Sequence, residues 1–424
     1  MTTQSPAGPV ANLHAQPSQP PSHPVISDDQ HGIATALQSF SLDLRYNERS
    51  VTREILVNNR WHELDDFREA RLREDIENNF SFVVIRYSKP HIVPADFSDR
   101  KWERSINSYL LTRHVDPFKV WLEALPPWDG RRRLTRMLID ALGVEDTPLA
   151  RAATRNQMIA AVARTYVPGK KHDIMLIVEG PQGGGKSSLL AELFDSEGFF
   201  CDDVAFDEDS KVQIEKTGEA VIVEFDELRG MKQYHLASIK SLLSRRKDRV
   251  RFAYARNATT TLRRWVAWGT ANDDGTGVIA GDATGTRRFI VLTATNKEGD
   301  YYKVVRYARA NREQLWAEAL YLYRKGISHD LPHKLFAARD AANDSSSKVE
   351  NAKLAEAVNA VSEYYGTGYE VTLSKLRDDV QTYMGEKATF RDNELIPELT
   401  RNGWQKLKNR RPVVWCIFPD MLDF

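Results

Sequence analysis

The pattern of apolar residues predicts an α/β core in the middle of the chain. Four apolar runs, at residues 174–178, 221–223, 265–268 and 290–292, are too short for helices and end at glycine or polar residues. Continuous apolar runs of this length are typical of strands that are covered on both faces of a parallel sheet. We therefore expect an α/β domain over residues 151–300.

Helical spacing dominates before and after this core. Bulky residues between Trp61 and Phe80 recur at roughly helical spacing, so we expect a mainly helical domain over residues 31–150. Residues 301–345 are predicted to be a helical extension that ends in a serine-rich linker. Three further helices and a terminal strand then predict a winged-helix-like domain over residues 346–424.

The amino-acid composition indicates the class of protein. Residues 1–30 contain six prolines and no aromatic residue, so we expect this segment to be disordered. No stretch approaches the ~20 apolar residues of a membrane span, and only two cysteines are present, which favours a cytoplasmic protein. With 59 basic and 59 acidic residues, any binding to nucleic acid must come from local patches.

A glycine-rich segment follows the first predicted strand and precedes a good helix. It has the spacing G-x-x-x-x-G-K-S of a P-loop, in which backbone N–H groups surround phosphates and the lysine reaches the β- and γ-phosphates. The hydroxyl of the final serine is a magnesium ligand in such loops. The predicted nucleotide-binding residues are Gly180, Pro181, Gln182, Gly183, Gly184, Gly185, Lys186, Ser187 and Ser188.

Acidic and amide residues end the next two predicted strands. Asp226 is expected to hold Mg²⁺ together with Ser187, and Glu227 to polarise the attacking water, while Glu224 is an alternative for either role. Asn272 ends the strand of the WGTAN segment, where an amide can orient the same water. Because ligands bind at the carboxyl ends of parallel strands, these residues are expected to converge with the P-loop.

Two basic segments complete the candidate chemistry. Arg287 and Arg288 lie on a Gly-Thr turn, and one of them is a candidate arginine finger that acts on the nucleotide of a neighbouring subunit. The most basic interval lies between the acidic strand and the WGTAN strand and alternates like a hairpin, which suits binding to the backbone of single-stranded DNA. The predicted DNA-binding residues are Arg245, Arg246, Lys247, Arg249 and Arg251.

The order of these motifs resembles the virulence-associated E family, whose ATPases are similar to superfamily 3 helicases. The resemblance covers roughly residues 46–292 and rests on the segments GPQGGGKSS, VIVEFDEL, LLSRRKDRVRFAYAR, WGTAN and DATGTRRF. It implies an AAA+-like P-loop NTPase core that uses ATP and Mg²⁺ and assembles as a ring, which we expect to be hexameric. It also implies single-stranded DNA in a central channel, and a role with other replication proteins in phage or mobile-element replication.

Two functions are compatible with all of these motifs. The first is an ATP-dependent DNA helicase or translocase, and the alternative is an oligomeric DNA-dependent ATPase switch, for example in phage defence, that does not unwind DNA. A small-molecule kinase would share the P-loop but would not need the WGTAN strand or the paired arginines. A DNA-binding module without activity would leave the P-loop unused.

Overall fold

The computed structural model describes residues 23–195, 197–205, 209–226, 233–250, 259–272, 286–385, 390, 392–407 and 414–417. Two compact units are present, of which the first ends at Asp116 and the second begins at Pro117. Within the described residues, no helix is long and apolar enough to cross a membrane.

The first unit is a mixture of short strands and helices around one apolar core. Its sheets have the strand orders β4-β3-β2-β7 and β1-β5-β6, and Ile33, Phe97 and Ile106 are among the side chains that fill its core. Its elements are β1 (Val25–Ile26), α1 (Gln30–Ser39), β2 (Asp43–Asn47), β3 (Thr52–Val57), β4 (Arg60–Glu63), α2 (Asp66–Asn79), β5 (Ser81–Arg86), β6 (Lys89–Pro94), α3 (Asp99–Leu110) and β7 (His114–Val115).

The mainly helical domain expected over residues 31–150 is only partly right for this unit, because α1, α2 and α3 are combined with short strands. Asn58 and Asn59 both have positive φ, at 51° and 62°, which is the two-residue turn of a β-hairpin and joins β3 to β4. Trp61 therefore lies in a strand, and Phe67 is 76% exposed instead of belonging to an apolar helix face. The N-terminal prediction also differs in part, since β1 pairs with β5, while residues 1–22 lie outside the described residues.

The second unit contains the predicted α/β core. Its elements up to the end of the core are α4 (Pro117–Ala124), α5 (Met137–Leu142), α6 (Pro148–Tyr166), β8 (Met175–Gly180), α7 (Lys186–Ala191), β9 (Phe200–Cys201), α8 (Ser210–Lys216), β10 (Ile222–Phe225), α9 (Gln233–Ser244), β11 (Lys247–Val250), β12 (Thr259–Leu262), β13 (Val266–Asn272), β14 (Phe289–Thr293) and α10 (Tyr301–Arg324).

Five of these strands form one parallel sheet in the order β14-β8-β13-β10-β9. Alternate residues of β8 enter two different cores, Leu176 and Val178 on one face and Met175 and Ile177 on the other. The sheet is thus covered on both faces, as the continuous apolar runs predicted. Because β8 has β14 on one side and β13 on the other, its carboxyl end lies at a crevice of the kind that binds ligands in α/β sheets.

The C-terminal part of the second unit has a small core of its own. Its elements are α11 (Phe336–Tyr365), β15 (Val371–Thr372), α12 (Leu373–Met384), α13 (Asp392–Arg401), β16 (Trp404–Lys406) and β17 (Val414–Ile417). The three strands pair antiparallel in the order β15-β17-β16, and Trp404 is buried between them and the helices, donating from Nε1 to the Ser362 hydroxyl at 2.7 Å. The linker expected at residues 344–347 is absent, because these residues lie inside α11.

Candidate functional site

The predicted P-loop connects β8 to α7 at the carboxyl edge of the parallel sheet. Gly183 and Gly185 have φ values of +73° and +88°, a region that side-chain-bearing residues rarely adopt. A Cβ at Gly185 would also stand 3.0 Å from side-chain atoms of Val304 on α10. The glycines of this segment are therefore needed for the turn itself, and the loop leads directly into the N-terminus of α7. Ser187 and Ser188 lie in the first turn of that helix.

Lys186 is folded back into this loop. Its Nζ donates to the carbonyl oxygens of Gly180 at 2.9 Å and Pro181 at 2.8 Å, and to Oδ1 of Asn272 at 3.3 Å. Only 7% of the residue is exposed. Asn272 reaches the loop because it pairs in register with Gly180 across the β8–β13 boundary. The structure thus brings together the lysine and the amide that the sequence predicted at this edge.

Glu224 is the acidic residue that contacts the P-loop helix. Its Oε1 accepts hydrogen bonds from the Ser187 hydroxyl at 2.7 Å and from the Thr270 hydroxyl at 2.6 Å. The residue is 1% exposed, and its Oε2 has no hydrogen-bond partner among the described residues. Burial, with a smaller contribution from the charge of Asp226, raises the pKa of Glu224, against the lowering effect of the two hydroxyls.

This arrangement fits a magnesium ion that is held jointly with a nucleotide. Mg²⁺ in such sites uses one or two protein oxygens and takes its other ligands from phosphates and water. The Ser187 hydroxyl and the unpartnered Oε2 of Glu224 are oxygen donors of that kind at one place. No group of three or more His, Cys, Asp or Glu side chains in the described part of the chain could hold a metal by itself.

Asp226 and Glu227 follow β10. Asp226 is exposed and its Oδ1 lies 3.3 Å from the Thr270 hydroxyl, whereas Glu227 lies outside the described residues. Thr270 was not predicted, although it bridges both acidic residues. The available signal was its spacing, since Thr270 and Asn272 are two residues apart on β13 and so share one face of the strand.

Arg287 and Arg288 lie at the opposite edge of the sheet from the P-loop. They precede β14, whose first residue pairs with Met175, so the length of β8 separates them from Gly180, roughly 17 Å at 3.3 Å per residue. Nε of Arg288 lies 3.5 Å from Asp173, whereas the Arg287 side chain is exposed. The structure therefore does not bring these arginines to the P-loop of their own chain.

The basic interval forms an antiparallel hairpin of β11 and β12. Lys247 and Arg249 are exposed on β11, and Arg251 lies outside the described residues. Arg245 is half-buried, and Arg246 donates from Nε to the Gly169 carbonyl at 2.7 Å. Two of the five predicted DNA-binding side chains thus point to solvent from one strand.

One arginine of this basic interval forms a buried ion pair that stabilises the hairpin. Arg263 is buried and makes a two-pronged contact with Asp248, at 2.8 and 2.9 Å from its Nη2. Burial lowers the pKa of Arg263, and the adjacent carboxylate of Asp248 opposes that shift. Arg263 therefore fixes the base of the hairpin.

Comparison with known proteins places the chain in a family. The sequence profile of the Virulence-associated protein E-like domain matches residues 122–350, which is more than half of the chain. The chain belongs to this family. Its matched region runs from α4 into α11 and includes the whole parallel sheet.

Solved structures of the NrS-1 C terminal region are similar to this chain at low sequence identity. Its A form apo structure is 11% identical and covers 92% of this chain and 99% of that chain, with a TM-score of 0.44. A second apo structure, of residues 305–718 of NrS-1, is also 11% identical with the same coverage and a TM-score of 0.43. No curated protein matches this chain.

Proposed function

We propose that this family member is a P-loop ATPase that acts on DNA as a ring-shaped helicase or translocase during replication of a phage or mobile element. The observation that carries the proposal is the convergence of four side chains on the P-loop. Lys186 meets Asn272, and Ser187 meets Glu224, all at the carboxyl edge of one parallel sheet. An ammonium, an amide, a hydroxyl and a buried carboxylate are the groups that phosphoryl transfer uses for positioning and charge stabilisation.

The residues take distinct roles in this proposal. Lys186 exchanges its contacts with neutral oxygens for the β- and γ-phosphates, and the loop N–H groups bind the same anion. Glu224 is the metal-side acid, because it is the carboxylate that contacts Ser187. Magnesium, when bound, neutralises charge on the phosphates. Asn272 and Glu227 orient and polarise the attacking water.

The position of the arginines supports the proposed assembly into a ring. Arg287 is too far from the P-loop of its own chain to touch the nucleotide there, so it serves a neighbouring subunit in a head-to-tail contact. In such a ring, the hairpin with Lys247 and Arg249 contacts a single strand of DNA through its phosphates. The C-terminal core has the order helix, strand, two helices and two strands, which resembles a winged helix. We therefore propose that it has a second role in binding DNA or a replication partner.

The first test is Lys186→Ala, with Lys211→Ala as a control that also removes one positive charge. Lys211 is on the exposed face of α8, paired with Glu215 at 3.7 Å. We expect ATP turnover to fall by about 10²–10³-fold in Lys186→Ala, the loss seen when one transition-state donor is removed. Equal turnover in Lys186→Ala and the control would exclude this site as the ATPase centre.

A second measurement separates the helicase from an ATPase switch. Wild-type protein is given ATP and a labelled fork, a duplex with one single-stranded arm. Release of the labelled strand that depends on ATP and on Lys186 supports a helicase. DNA-stimulated ATP turnover without strand release supports the switch.

A further inference from the structure

A basic cleft lies at the N-terminal end of α6, outside the site described above. Its volume is about 590 Å³, and it is bounded by the 3₁₀ turn Leu134–Arg136, by α6, and by the segment that ends in the turn His333–Leu335. Five cationic side chains line it, and the rest of the lining is aliphatic apart from one threonine. The cations of this arginine cleft are Arg132, Arg136, Arg151, Arg155 and Lys334.

Acidic neighbours balance only part of this charge. Arg136 pairs with Asp140 at 2.7 Å and with Asp146 at 3.1 Å, and Arg151 also pairs with Asp146. The other three cations, Arg132, Arg155 and Lys334, have no ion pair with any residue that the structure describes. Five positive charges thus face two paired carboxylates, together with the buried Glu318, with which the charge of Arg132 also interacts.

Arg155 is the cation of the cleft whose surroundings most favour binding of an anion. It is half-buried, and both Nε and Nη2 donate to one neutral acceptor, Oδ1 of Asn156, at 3.1 and 2.9 Å. Burial lowers the pKa of this guanidinium. A partly desolvated charge without a counter-charge is costly, and a bound anion removes that cost. The cleft is therefore suited to a polyanion.

We propose that the arginine cleft binds backbone phosphates of DNA, as a contact separate from the β11–β12 hairpin. The proposal rests on the proposed function only in taking DNA as the substrate. Among the described residues, no aromatic side chain lines the cleft, so the contact expected there is with the sugar-phosphate backbone and not with stacked bases. The same phosphate chemistry could come from a free nucleotide, since clefts of roughly 300–1,000 Å³ hold such ligands.

The position of the cleft gives it a defined distance from the hairpin. Arg155 is eleven residues before Tyr166, where α6 ends, which is roughly 17 Å at 1.5 Å per residue. Gly169, just beyond that end, accepts the hydrogen bond from Arg246 at the base of the hairpin. The two sites are therefore at opposite ends of one helix, and each can be changed without touching the other.

The test is the triple variant Arg132→Gln, Arg155→Gln and Lys334→Gln. The matched control is the triple variant Arg71→Gln, Arg100→Gln and Arg104→Gln. These three arginines are exposed and lie in the first unit, and their replacement removes the same net charge. Binding of a single-stranded and a duplex oligonucleotide is measured by fluorescence anisotropy between 50 and 200 mM salt. If all three side chains contact phosphate, the log–log salt slope for single strands falls by about 2 and affinity at 0.1 M salt falls on the order of a hundredfold.

Four further results decide the interpretation. The single variant Lys334→Gln, at an exposed residue, should lower the slope by about 0.7 and guards against a folding defect in the triple variant. To test whether the cleft binds a free nucleotide instead, ATP binding is compared between Lys186→Ala protein with and without the triple substitution. If the triple substitution removes ATP binding but not DNA binding, the proposal is overturned. The proposal also fails if cleft and control variants bind DNA equally. DNA binding by neither wild type nor variants would instead refute the proposed function.

Discussion

Arg287, and not Arg288, is predicted to complete the catalytic site of a neighbouring subunit. The two side chains are adjacent in sequence but differ in their surroundings. Arg288 is engaged by Asp173 in its own chain, with 21% and 27% of the two side chains exposed. The Arg287 side chain is exposed, and its backbone carbonyl accepts a hydrogen bond from Arg339 at 3.3 Å.

The expected magnitudes for the two alanine variants are very different. An arginine finger contributes about 10³–10⁵-fold to turnover, so Arg287→Ala should lose about 4–7 kcal/mol of transition-state stabilisation. Arg288→Ala removes a single long ion pair that is partly open to solvent, which is worth about 0–1 kcal/mol of folding stability. Its turnover should therefore stay within tenfold of wild type.

Mixing experiments test whether the arginine acts between subunits. Arg287→Ala and Lys186→Ala proteins are mixed in equal amounts before nucleotide is added, and ATP turnover is compared with that of each variant alone. A complete site needs Lys186 from one subunit and Arg287 from the next, so in randomly mixed head-to-tail rings about a quarter of the interfaces are complete. Recovery of roughly a quarter of wild-type turnover is therefore expected if interfaces act independently.

Two outcomes would refute this reasoning. If Arg288→Ala is inactive while Arg287→Ala is not, the exposed side chain is the wrong one and the Asp173 contact must break during catalysis. If mixtures that have demonstrably co-assembled stay at the level of the separate variants, the arginines act within their own chain or only support the fold.

Two other predictions concern the acidic residues and the hairpin. Glu224→Gln should lower magnesium-dependent turnover by at least about a hundredfold and Asp226→Asn by much less, and the reverse order in an ATPase assay would exchange their roles. Because burial raises the folded-state pKa of Glu224 above its ordinary 4.5, the nucleotide-free wild type should lose stability relative to Glu224→Gln as pH rises from 4.5 through that raised pKa, and a constant difference in denaturant unfolding would contradict this. Charge reversal at Lys247 and Arg249, the two exposed cations of β11, should weaken single-stranded DNA binding and reduce its salt slope by about 0.7 per lost contact, with the DNA-free ATPase rate as the check on folding.

The sequence predicted those parts of the core that depend on local patterns. The strand β8, the glycine turn and the first turn of α7 follow one another within a few residues, so spacing alone was sufficient. Thr270 was missed because its contact with Glu224 depends on which strands are neighbours. The parallel pairing of β10 with β13 brings these side chains together, and nothing in the sequence near Thr270 states that pairing.

Two structural predictions that differ from the structure rested on local spacing and local composition. The helical spacing between Trp61 and Phe80 holds only within α2, because the hairpin turn at Asn58 and Asn59 places Trp61 in a strand. The serines at 345–347 were interpreted as a linker, but each costs a helix only about half a kcal/mol. Packing on both sides outweighs that cost, because Asn343 hydrogen-bonds β14 and Leu354 lies in the C-terminal core.

The continuity of α11 has a mechanical consequence. Its first turns hold the Arg287 carbonyl through Arg339, and its last turns are built into the C-terminal core through Val358 and Val361. Thirty residues of helix make a rod of roughly 45 Å, so a tilt of about 10° at one end moves the other by about 8 Å. A force on the C-terminal core would therefore be transmitted through α11 to the turn that carries Arg287. The position of the C-terminal core and the position of Arg287 would then change together within a single chain.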